Sequence, residues 1–145
     1  MTRRAFALAL PSLLLAPRAR ARHTGLLPLD TVFIGRDRFD ARLRQLRPIA
    51  DKVRALPIGE RTAWFGQMLL DTPYKGFTLE IDDRIEAPSV NFHGLDCWTF
   101  FELALAFARM MDEPIDQWGP ESLLRHIERD RYWGGECDGT YLSRL

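Results

Sequence analysis

The sequence predicts an α+β fold in which helices dominate, on three observations. Apolar residues recur at helical spacing in five stretches between Asp37 and Trp133. Only three short segments, "TVFI", "YKGFTLEID" and "VNF", read as extended. The run from Trp98 to Met111 is apolar nearly all round, which marks the central helix of a packed domain. With 145 residues, 46% of them apolar, the chain suffices for one domain with a real core.

The first 21 residues read as an export signal rather than as part of that domain. "MTRR" is a basic start, "AFALALPSLLLA" an apolar stretch too short to span a bilayer, and "ARA" a small-x-small cleavage site after Ala21. "TRRAF" also fits the twin-arginine export pattern. An exported, periplasmic protein with no membrane span after cleavage is therefore expected. The segment holds Arg3, Arg4, Arg18 and Arg20 and no acid. Without those four, 16 basic groups face 20 acidic ones. A body of net charge −4 is a poor partner for nucleic acid, which selects a basic face.

Residues 22–36 read as a linker, with Pro28 and Gly35 as breakers and "TVFI" as a short extended piece. The domain proper is expected over residues 37–145. Phe39, Leu43 and Leu46 predict a first helix, which Pro48 interrupts. A second places Ile49, Val53 and Leu56 on one face, and a third, ended by Pro73, turns Trp64 and Met68 inward, with Phe65 and Leu69 as further candidates. "YKGFTLEID" alternates loosely and predicts a strand or hairpin arm. "VNF" is a short extended approach to Cys97. Pro120 opens the last helix, whose stripe is Leu123, Leu124 and Ile127. "GGECDGTYLSRL" follows as a flexible polar turn and the opening of a strand.

The chemistry concentrates at "HGLDCWTFF", where Cys97 stands between a polar approach and the central helix. Unpartnered N–H groups at a helix start carry partial positive charge and favour thiolate over thiol. That is the setting of a nucleophile. In an exported protein a Cys97–Cys137 disulfide stays an alternative; its 41-residue loop would be worth roughly 4 kcal/mol. Glu102, the one acid of the helix, must be paired or face a cleft. Three histidines are available as bases. His23 adjoins the cleavage site, His93 lies four residues before Cys97, and His126 flanks the last helix at what reads as a solvated edge. Their spacing to the cysteines fits no metal site, and no cofactor is expected.

Three motifs, "TPYKGFTLE", "GLDCWTFFELALA" and "RYWGGECDGTYLSRL", together resemble the N-acetylmuramoyl-L-alanine amidase-like branch of the NlpC-type cell-wall cysteine peptidases. They follow the order of that family's "PY-x-G-x-TLE", "DC-x-TF-x-E" and "RY…G…SRLHY" segments, and the resemblance covers roughly residues 64–145. The resemblance implies a papain-like α+β fold, with the nucleophile at the start of a helix that packs on a small β-barrel. It makes Cys97 the nucleophile, Tyr74 a substrate-binding residue near the reacting centre, and Asp96 and Glu102 supporting residues. The implied reaction is hydrolysis of the amide between N-acetylmuramic acid and L-alanine, with anhydro-muropeptides as substrates and peptidoglycan fragments as partners. The catalytic histidine would lie downstream of "SRLHY", beyond Leu145. The chain is therefore expected to hold the mostly helical N-terminal part of the domain, without the barrel half and inactive alone. It would leave Phe100, Leu103, Ala104 and Phe107 without a packing partner. The alternative function is a fragment that binds muropeptides or a partner without cutting them.

Overall fold

The computed structural model describes residues 27–145. The expected signal segment, its cleavage site and His23 lie outside the described residues. Helices dominate, as the periodicity predicts. They are α1 (Leu29–Val32), α2 (Arg36–Leu46), α3 (Ala50–Arg54), α4 (Ile58–Met68), α5 (Cys97–Met110) and α6 (Pro120–Arg131). Two short strands, β1 (Phe33–Ile34) and β2 (Val90–Asn91), pair in parallel, with Phe33 opposite Val90 and Ile34 opposite Asn91.

The helix α5 is the centre, packed between α4 and α6. Five phenylalanines from five parts of the chain meet there. The Phe107 ring stacks on Phe65 of α4 at 5.1 Å and on Phe39 of α2 at 5.8 Å, with Phe92 edge-on at 6.0 Å. Phe33 of β1 closes the cluster against Phe39 at 5.1 Å. Such pairs add roughly 0.5–1.5 kcal/mol each beyond the area they bury. This cluster corrects the expectation of an unpartnered face on the central helix. Leu103, Ala104 and Phe107 are buried by the helices present, and Phe100 is partly buried against Gly66.

Other expectations also shift. Within the stretch read as a linker, Val32 and Phe33 belong to the core, where β1 pairs with β2 among the described residues. On α4 the inward positions are Phe65 and Leu69, while Trp64 and Met68 pack only partly. The face is rotated by one residue because Arg61 is drawn in, donating to Asp112 at 2.7 Å. Around Pro48 a 3₁₀ turn (Arg47–Ile49) separates α2 from α3, which buries Ala50 and Val53 and leaves Ile49 exposed.

The segment "YKGFTLEID" is not a strand. Tyr74 makes one parallel bridge to Leu95, and the backbone then turns away through Phe77, whose φ is +59°. Thr78 binds Thr99 across 2.9 Å instead of extending a ladder. Nor is "GGECDG" a loose polar turn around its cysteine. Cys137 is buried, its backbone N–H held by Glu128 and its thiol donating to the Glu86 carbonyl. Burial pushes that thiol's pKa up.

Candidate functional site

Asp96 decides where α5 begins. Its carboxylate accepts from the Thr99 N–H at 2.8 Å, and the Thr99 hydroxyl accepts from the Asp96 N–H at 3.0 Å, a reciprocal capping box. Burial alone would raise the Asp96 pKa; hydrogen bonds from Thr99 and Thr78 outweigh it and hold the carboxyl below its ordinary range. Cys97 is thus the first residue of a helix that cannot slip. It is exposed, and both cysteines are free thiols, so no disulfide joins them.

The loop 73–78 is fixed beside that start. Lys75 N–H donates to the Leu95 carbonyl at 3.0 Å, and Leu95 N–H to the Pro73 carbonyl at 3.1 Å. Gly94 permits the approach, since a Cβ there would lie 2.6 Å from the Cβ of Lys75. Tyr74 is therefore held alongside Leu95, two residues before the thiol, with its side chain 78% exposed. Sequence reasoning did not find the paired hydroxyls of Thr78 and Thr99 that lock loop to helix; two threonines 21 positions apart give no local signal.

Glu102 faces the other way. Five residues along a helix turn the side chain by about 140°, which sets it in the interior, 2% exposed. There it accepts two hydrogen bonds from Arg131 of α6, one at 2.9 Å. The same guanidinium reaches the Ser89 hydroxyl at 3.0 Å and the Ser89 carbonyl at 2.9 Å. Glu102 joins α5 to α6 and, through Arg131, to the 79–89 segment. Nothing in "ERDRY" signals that Arg131 is among the largest fully buried side chains.

Neither described histidine is paired with Cys97. His93 is exposed and lies 3.9 Å from Asp37 of α2, its N–H bonded to Asn91. His126, expected at a solvated edge, is instead half-buried and 3.0 Å from Glu113. Burial is the main cause holding its pKa below 6.5, against the pull of the Glu113 carboxylate. Neutral His126 then donates to Glu113, whose charge is held by Ser122 and Arg125. Among the described residues no cluster of His, Cys, Asp and Glu is built to hold a metal ion, and no helix is long and apolar enough to cross a membrane.

Two outcomes follow. Iodoacetamide at pH 7 should label Cys97 on the order of 10³-fold faster than Cys137, since Cys137 reacts only after local opening that costs several kcal/mol. Equal rates by mass-resolved labelling would contradict the burial seen here. Second, the unfolded chain binds a proton at His126 near pH 6.5 more readily than the folded chain does. Stability should therefore fall as pH drops from 6.5 towards the lower folded pKa. His126→Gln should flatten that part of a urea-denaturation pH series; an unchanged slope would assign the loss to other groups.

Residues 64–145 match a family model, AmiA-like, described as N-acetylmuramoyl-L-alanine amidase-like. No curated protein and no solved structure matches the chain.

Proposed function

The chain belongs to the AmiA-like, N-acetylmuramoyl-L-alanine amidase-like family, and from that premise we propose that it is an exported, periplasmic cysteine amidase of peptidoglycan. Its function is related to peptidoglycan amide hydrolysis by family. The finer reading is cleavage of the bond between the lactyl carbonyl of N-acetylmuramic acid and L-alanine, with anhydro-muropeptides as substrates, on a papain-like NlpC-type scaffold. The observation that carries it is Cys97, an exposed free thiol at the capped first position of the central helix.

In this reading the Cys97 sulfur attacks the lactyl carbonyl, the carbonyl oxygen takes the charge, and the amine of L-alanine leaves with a proton. Water then hydrolyses the thioester. The start of α5 presents the attacking sulfur, Tyr74 shapes the cleft, and Asp96 and Glu102 keep the helix in place. Proton transfer to the leaving amine needs an imidazole or its equivalent. His93 lies against Asp37 and His126 against Glu113, so neither described histidine is paired with Cys97. The same observation favours one second reading, a module that binds muropeptides without cutting them.

Anhydro-muropeptide incubated with the protein, with and without added imidazole, separates the two. The amidase reading expects release of the L-alanyl peptide, seen by mass spectrometry, and acceleration by imidazole, since a missing acid–base group typically costs about 10²–10⁴-fold. Binding without release under both conditions would establish the second reading. Cleavage at another bond of the stem peptide would refute the muramoyl–alanine assignment.

A further inference from the structure

We propose that Thr78 is a positioning residue for the Cys97 site, its buried hydroxyl holding the loop that carries Tyr74 in place against the start of α5; this adds a residue to the amidase reading and rests on it. Loop 73–78 has little else to seat it. Tyr74 is 78% exposed and Phe77 95%, whereas Thr78, at 4%, is the one buried residue of the loop. A Cβ at Gly76 would meet nothing within 4 Å. Backbone bonds to Leu95 hold the near end of the loop, at Pro73 and Lys75. The far end is held by the Thr78 side chain.

The hydroxyl protons assign its role. Thr99 has one such proton, and it goes to the Asp96 carboxylate at 2.8 Å. Thr78 must then be the donor across the 2.9 Å between the two hydroxyls. The Thr99 oxygen accepts that proton and the Asp96 N–H at 3.0 Å, which fills both its lone pairs. The Thr78 oxygen shares the same Asp96 N–H from 3.3 Å. One hydroxyl of the loop thus joins a closed set of bonds with Asp96 and Thr99, and Cys97 lies between those two residues in the chain.

The backbone before Thr78 is bent at a cost to make this contact. Phe77 adopts a left-handed φ of +59°, which is unfavourable for any residue with a Cβ. Its ring, almost wholly exposed, recovers nothing by packing. Strain of this kind persists where the surroundings over-determine it, and it gathers at functional sites. Here the fixing contacts stand on either side of Phe77, the Lys75–Leu95 bond and the Thr78 hydroxyl. The helix does not call for them, since Asp96 and Thr99 complete the cap of α5 by themselves. What they fix is where Tyr74 stands relative to the thiol.

The test compares Thr78→Val, which keeps the shape and removes the donor, with Thr78→Ser, which keeps the donor. Two rates are read per folded molecule of the full chain: release of the L-alanyl peptide from anhydro-muropeptide with imidazole present, and alkylation of Cys97 by iodoacetamide. Release should fall about three- to tenfold in Thr78→Val, the scale of one hydrogen bond, and stay at the parent rate in Thr78→Ser. Alkylation should match the parent in both, because a small reagent does not need Tyr74 and the cap survives. In a Tyr74→Ala background Thr78→Val should lower release no further, since the hydroxyl acts through the loop. Should the valine variant fail to fold, Thr78→Ala takes its place. Release at the parent rate from Thr78→Val overturns the proposal and leaves the amidase reading standing. So does a serine variant that loses as much as the valine one, or alkylation that falls in step with release, which would make Thr78 a support of the helix alone. An undiminished loss in the Tyr74→Ala background separates the hydroxyl from the loop and overturns it too. If the parent releases no peptide, the amidase reading fails and this role with it.

Discussion

Cys97→Ala is expected to abolish the imidazole-accelerated release of the L-alanyl peptide from anhydro-muropeptide, because rescue of proton transfer speeds the reaction only while the covalent nucleophile is in place. Alanine keeps the helix start, because the capping box is made by Asp96 and Thr99 and does not involve the residue at 97. Thermal unfolding of the variant should therefore match the parent, and the loss should fall in turnover alone. Cys137→Ala is the matched control. It removes a buried thiol that bonds to the Glu86 carbonyl, so it should cost stability but leave the rate per folded molecule unchanged. Peptide release from Cys97→Ala at the parent rate would remove Cys97 from the chemistry, whatever the family.

Arg131→Met is expected to destabilise the domain by about 3–5 kcal/mol, the usual cost of leaving one member of a buried ion pair alone. Burial by itself disfavours the charged guanidinium; the hydrogen bonds and charge of Glu102 outweigh that and raise the Arg131 pKa above its ordinary value. Removing Arg131 strands Glu102 in the core and leaves the Ser89 carbonyl without its donor. Domains of this size have about 5–15 kcal/mol to lose, so a marked fall in the urea midpoint is expected. The double variant Glu102→Leu with Arg131→Met should be markedly more stable than either single change, because no buried charge remains unpaired. Urea denaturation of the four proteins measures this. Single variants that lose less than ~1 kcal/mol would show that water reaches the pair.

Most helices and the position of Cys97 at a helix start were legible before any coordinates. Phe39, Leu43 and Leu46 repeat at helical spacing, and their burial on α2 follows from that spacing alone. The stripe of α6 and its proline start are as local. The place of Cys97 was legible for the same reason: Asp96 and Thr99 cap the helix through bonds spanning three residues. A family resemblance carried on three ordered motifs was legible too, and the family match over residues 64–145 agrees with it.

Failures occurred where a partner distant in sequence decides the outcome. "YKGFTLEID" alternates like a strand, but a strand exists only if another pairs with it, and here Thr78 is claimed by Thr99. "TVFI" reads as a short extended piece of a linker, and it is Val90 and Asn91, far along the chain, that make Phe33 and Ile34 a strand of the domain. A polar sequence around Cys137 gave no sign that Glu86 and Glu128 enclose it. Local pattern, through backbone spacing and caps, determined the helices and put a thiol at the start of the central one. Only tertiary structure decided which charges are buried, which histidines are engaged elsewhere and which aromatic rings stand exposed. Each of those depends on side chains tens of residues apart meeting in space, which no periodicity encodes.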